Sequence, residues 1–246
     1  MPSNDPSPLK TTIALPRHSA WTSGLHFHAS HTEYLRLVKG AIFVKLNGTT
    51  KLISALAGGE IDKVNGQLVQ EGLVVEVPRF VRHNWGRLEH YRKSTRAFGR
   101  GVQQHRNSPE DWTEEVVVEE WTDPSDIKKP LFFWNLNAII TAPGEASSKR
   151  ERLAKDILGE FWIDLQLFIV FWELDNWPVF FDLRNLSYGY DQGVLPRLTD
   201  GAEIIVSFIV LFIARIVGFL LGLHAVEQRR TPDALWEAYR KPAHTL

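Results

Sequence analysis

The chain has 246 residues, of which 44% are hydrophobic and 23% charged, and its formal net charge is -1. That length allows one ordinary domain plus an appendage, and a near-neutral chain with no basic stripe argues against a nucleic-acid partner. There is no cysteine, which excludes disulfides, thiolate metal sites and cysteine nucleophiles.

The first ten residues, Met1-Pro-Ser-Asn-Asp-Pro-Ser-Pro-Leu-Lys10, are polar and proline-rich. They lack the apolar stretch of a secretory signal and read as a disordered lead-in. From 11 to 122 the apolar runs are short, alternating and cut by turn residues. Thr11 to Leu15, Glu33 to Leu46, Thr50 to Leu56, Gly72 to Val77 and Ser94 to Phe98 read as strands. Asn47-Gly48 marks a hairpin, and Asn65-Gly66 a second turn of the same chemistry. Many short strands at even spacing predict a sandwich or a closed barrel.

From 123 to 200 the texture changes to a helical, aromatic-rich extension. Ser147 to Leu158 is charged and helix-permissive. Phe161 to Phe181 is crowded with Phe and Trp but holds Asp164, Glu173, Asp175 and Asn176, too many polar groups for a bilayer span. It is expected to pack on the β domain as a helix or to lie at a membrane interface. Residues 201 to 226 contain the run Ile204 to Leu223, whose one charge is Arg215. About 20 apolar residues match the roughly 30 Å hydrocarbon core, so a single-pass transmembrane helix is expected, followed by a polar tail over 227–246. Arg229, Arg230, Arg240 and Lys241 would place that tail in the cytosol by the positive-inside rule. A lone span near the C-terminus with no signal before it instead reads as a tail anchor, which leaves the β domain cytosolic.

The chemistry concentrates at His26-Phe27-His28. On a strand, imidazoles at i and i+2 share a face and can converge on one ion, with Glu33 entering across a bend. Without thiols, a metal must be held by imidazole and carboxylate, which suits iron, manganese, zinc, nickel or copper. His31 lies in the bend and is expected to face solvent. His90, His105, His224 and His244 have no partner at metal spacing.

His26-x-His28, four residues, Glu33, six residues and Gly40 reproduce the first cupin motif, and Gly72, Pro78 and His83 resemble the second. The resemblance covers about residues 12 to 120. It implies a mainly β chain: a single, jelly-roll-like cupin β-barrel over 11–122, followed by the α-helical extension and the C-terminal transmembrane helix. It also implies that His26, His28, Glu33 and His83 bind a divalent metal, iron first, with manganese, zinc or nickel as alternatives. Cupins often pair, so a homodimer is compatible with it. Three positions depart from the motifs: Ala20 and Phe80 stand where glycines are usual, and Arg87 replaces an asparagine. These positions shape the backbone rather than bind the ion.

By strand alternation Trp85 shares the interior with His83, as a wall for a planar or apolar substrate or as core filler. The architecture is also similar, by texture, to cupin-domain oxidoreductases of fungal polyketide gene clusters. That similarity implies a metal-dependent, oxygenase-like oxidoreductase acting on a hydrophobic polyketide-type intermediate. A redox-neutral isomerase, cyclase or dehydratase and a non-catalytic membrane-anchored binding protein are the alternatives.

Overall fold

A computed structural model describes residues 9–97, 113–142, 149–182 and 194–241. His105, His244 and most of the lead-in lie outside them. The chain divides into two compact units, 1–125 and 126–246.

The first unit is built of antiparallel strands: β1 (Thr11–Leu15), β2 (His26–Phe27), β3 (Thr32–Lys39), β4 (Ala41–Leu46), β5 (Thr49–Ser54), β6 (Gly59–Ile61), β7 (Leu68–Glu71), β8 (Val74–Val77), β9 (His83–Arg87) and β10 (Val116–Asp123). They form two sheets, ordered β1-β10-β3-β8 and β2-β9-β4-β5-β6-β7 within this unit. The closed barrel expected from the sequence is therefore corrected to two sheets that do not join into one cylinder. Their shared core includes Leu35, Leu37, Val75 and Val118 from the first sheet and Ile42, Val44, Ile53 and Trp85 from the second.

The single strand expected over Glu33 to Leu46 is two strands in different sheets, parted at Gly40. Gly40 has φ 81°, and a Cβ there would sit 2.6 Å from the carbonyl oxygen of Glu115. Only glycine lets the chain cross between sheets here. Asn47 and Gly48 both take positive φ, 49° and 86°, and join Leu46 to its register partner Thr49. This is the two-residue hairpin that the dipeptide announces.

β4 is apolar on both faces. Ile42 and Val44 enter the sandwich, whereas Ala41 and Phe43 form a second cluster with Leu52, Ile61 and Leu88. Leu88 opens helix α1 (Leu88–Ala97), and Tyr91, one turn on, stacks on Phe43 with ring centroids 5.2 Å apart. This corrects the strand expected over Ser94 to Phe98: residues 94–97 close a helix whose apolar positions at i and i+3 seat on the sheet. A short run without its N-terminal context hides that period.

The second unit contains α2 (Lys128–Thr141), α3 (Lys149–Leu158), α4 (Phe161–Glu173), α5 (Val194–Leu221) and α6 (Asp233–Arg240). Leu131, Ile139, Trp162, Ile169, Val170 and Ala214 are among the buried residues of its core. α4 and α5 approach closely because Gly218 has no side chain: a Cβ there would lie 2.3 Å from Ile169 Cδ1. The expected span ends two residues earlier than its composition suggests. Gly222 takes φ 76°, and Leu223 N–H donates to Gly218 O at 2.8 Å, a glycine-terminated helix end. Thr199–Leu221 is long and apolar enough to cross a membrane, and 22% of its most apolar window is buried in the protein.

Candidate metal centre

The sandwich interior is layered. His26 and His83 are register partners on β2 and β9. Leu46 lies beside His83, Val44 beside Trp85 and Ile42 beside Arg87. In the facing sheet, Glu33 pairs with Thr122, Leu35 with Glu120 and Leu37 with Val118. Period-two alternation thus aligns a histidine and carboxylate layer, a Trp85–Glu120 layer and an apolar layer closed by Arg87.

In the first layer the four predicted ligands meet. Each of His26, His28, Glu33 and His83 offers an atom lying within 4.8 Å of the others, and all four residues are buried. Glu33 Oε2 is 2.8 Å from His83 Nε2 and 3.4 Å from His28 Nε2. The His26 and His83 rings are 4.0 Å apart between centroids. The first sheet supplies the carboxylate, the second supplies His26 and His83, and the chain leaving β2 supplies His28.

Two backbone carbonyls set the tautomers. His26 Nδ1 lies 2.9 Å from Gly24 O, and His83 Nδ1 lies 3.1 Å from Val81 O. A carbonyl oxygen only accepts, so each Nδ1 carries a hydrogen, and Nε2 is the ring atom left to face an ion. Burial, reinforced by the neighbouring His83 and His28, holds the His26 imidazole well below the usual histidine range, against the opposing pull of Glu33 and the Gly24 carbonyl. A neutral imidazole is the ligand form. Three imidazoles and one carboxylate, all oxygen or nitrogen donors converging in a buried site, fit a divalent first-row metal ion.

The departures from the motifs have structural answers. Phe80 takes φ 62°, so the backbone keeps the left-handed conformation that glycine normally supplies, at a steric cost for an aromatic residue. Its N–H donates to His28 O at 2.7 Å, which ties that turn to a candidate ligand. Arg87 is fully buried. Its guanidinium donates to Leu15 O at 3.3 Å, Pro16 O at 3.0 Å and Thr113 O at 3.2 Å. Arginine thus fastens the end of β1 and the approach to β10 onto β9.

His31, expected to face solvent, is buried at 3% exposure. It stacks on His28 with centroids 4.3 Å apart, because the bend between β2 and β3 turns it onto that ring. Trp85 is buried in the sandwich core. It meets Trp21 edge to face at 5.2 Å, and its Nε1–H donates to Glu120 Oε1 at 2.8 Å. Glu120 was not singled out from the sequence. The signal was present in Val116-Val-Val-Glu-Glu-Trp121, where alternation sends Val116, Val118 and Glu120 to one face.

No protein-family model matches the chain, and no curated protein matches it. Among solved structures, it is similar to a recombinant oxalate oxidase in complex with glycolate, at 13% identity and a TM-score of 0.24, covering 45% of this chain and 39% of that one. KdgF from Halomonas sp. is 16% identical with a TM-score of 0.24, covering 46% of this chain and 68% of that one. A further oxalate oxidase structure is 15% identical with a TM-score of 0.24, covering 63% and 59%. The chain thus spans well under half of the first of these structures.

Proposed function

We propose that this chain is a membrane-anchored, metal-dependent cupin oxidoreductase, oxygenase-like, acting on a hydrophobic polyketide-type intermediate. The observation that carries the metal is the meeting of four buried ligand atoms within 4.8 Å. His26, His28, Glu33 and His83 would hold it, with iron first and manganese, zinc or nickel as alternatives. Such an ion supplies substrate or dioxygen activation, or polarises a carbonyl.

The chain's own residues set the conditions for that chemistry. Gly24 O and Val81 O orient two of the imidazoles. Glu33 places its negative charge among three histidines, so a dication bound there would leave a net charge of about +1. Trp85 and Trp21 offer the apolar, planar side of the pocket in this reading and would orient an aromatic or partly reduced substrate. Apolar α5 supports the anchoring and a substrate that partitions out of water.

Elemental analysis of the full chain purified in detergent tests the metal. About one iron per chain is expected, falling toward none in His83→Ala and His26→Ala. Failure to bind iron(II), manganese(II) or zinc(II) on reconstitution overturns the reading. Bound zinc without iron shifts it to the redox-neutral class, and oxygen uptake with bound iron supports the oxidative one.

A further inference from the structure

The helical unit contains a groove of about 960 Å³, within the size range of small-molecule sites. Ile169 and Glu173 of α4 lie on one side. Phe212, Ile216 and Phe219 of α5 form a second wall, and Trp236 and Tyr239 of α6 a third. Those three α5 side chains are also 44%, 45% and 81% exposed. The groove therefore opens onto the same apolar helix that is long enough to cross a bilayer.

Its lining also carries polar groups, and the charged ones pair with one another. Arg215 pairs with Glu173, and its guanidinium carbon lies 5.8 Å from the Trp172 ring. At the rim Arg229 Nε is 2.5 Å from Glu227 Oε2, and Arg229 Nη2 is 4.0 Å from Glu151 Oε2. Both lining arginines thus have carboxylate partners, and an anionic head group would have to displace one. The indole Nε1 of Trp236 is buried and has no hydrogen-bond acceptor among the described residues, a cost that an acceptor on a ligand would remove.

We infer that this groove binds a neutral, long-chain amphiphile drawn from the bilayer, its chain along Phe212, Ile216 and Phe219 and an oxygen acceptor set against Trp236 Nε1. The inference rests on α5 lying in a membrane and is independent of the metal. Lateral entry from the lipid-facing side of a helix avoids any passage of the chain through water, and the satisfied ion pair leaves a polar spot without a net demand for charge.

The test is photolabelling of the full chain in phosphatidylcholine vesicles with a diazirine-bearing long-chain alcohol, read by peptide mapping. Labels are expected to cluster on 212–219 and 236–239 and to be competed by unlabelled long-chain alcohol. Ile216→Trp, which fills the groove, should abolish the competed fraction. Trp236→Phe keeps the ring and removes the donor, and should raise the competing concentration by about three- to tenfold. Uncompeted labelling spread equally over Ile205, Ile209 and Ile213 marks ordinary surrounding lipid and overturns the site. An unchanged competition curve in Trp236→Phe overturns the hydrogen bond to the ligand. Vesicle flotation is measured alongside: a chain that does not float overturns the membrane reading itself, whatever the metal content.

Discussion

In the sandwich, ionisable groups sit at the centre and charged pairs also decorate the outside: Lys10 with Glu119, Arg17 with Glu114, Lys39 with Glu115 and Lys51 with Glu60. The helical unit also buries polar groups, with Asn135 Nδ2 donating to Thr231 Oγ1 at 3.1 Å and Arg230 to Gln166 at 2.5 Å. Its outer face is another matter. Ile205, Phe208, Ile209, Phe212 and Ile213 are all exposed along α5, spaced three and four residues apart on one stripe. The second unit thus carries an exposed apolar face on a helix long enough to cross a membrane, and its opposite, packed face uses Ser207, Leu211, Ala214 and Gly218 to reach its neighbours.

The sharpest way to break this contrast is to give α5 a water-facing surface. Ile209→Asp with Ile213→Asp should abolish vesicle flotation, since each aspartate costs about 3 kcal/mol at the centre of a span. Both side chains point away from the core, so the circular dichroism spectrum should hold. Continued flotation would show that another surface carries the attachment. Next in size is the ion. Saturating metal should stabilise the wild type by about 3–4 kcal/mol, read as an upward shift in the thermal midpoint. In Glu33→Ala the shift should be lost, and an equal shift would move the ion elsewhere.

Smaller effects probe the layers beneath the ligands. Trp85→Phe leaves the buried Glu120 carboxylate without its indole donor and should cost about 1–3 kcal/mol in denaturant unfolding. A neutral result would mean that Glu120 finds an equivalent partner. The smallest effect is expected at Glu89. Burial alone pushes its carboxyl up, but hydrogen bonds from Lys93 and His18 outweigh it and bring it from 4.5 to about 2. A carboxyl depressed on folding contributes stability that is present above its unfolded value and is lost as pH falls. Between about pH 4.5 and 2 the wild type should lose stability more steeply than Glu89→Gln. Parallel curves would remove this group from the acid response.

Much of the site could be read from the chain because its geometry is local. His26 and His28 alternate on one short stretch, and Gly40 marks the crossing between sheets by a requirement no other residue meets. Pairing His83 with His26 took a second motif, since nothing local links residues so distant in sequence. His31 misled because a histidine in a bend looks solvated until the bend's direction is known. Residues 94–97 misled because their helix is specified upstream, at Leu88 and Tyr91, and by Phe43 on the sheet. The stripe on α5 was visible as composition, but which side chains face inward depends on where α4 approaches.

The two main-chain oxygens behind His26 and His83 carry a consequence for how the pocket fills. Each lies only two residues from the ring that it steadies, so ligand posture is inherited from strand conformation rather than negotiated between side chains. An ion entering this site would meet two rings already oriented, and loading should then be limited by entry rather than by rearrangement of those rings. By the same logic, the pocket is not lost one ring at a time. Loss of the β2–β9 pairing would displace both rings together, and amide exchange there should track ion retention.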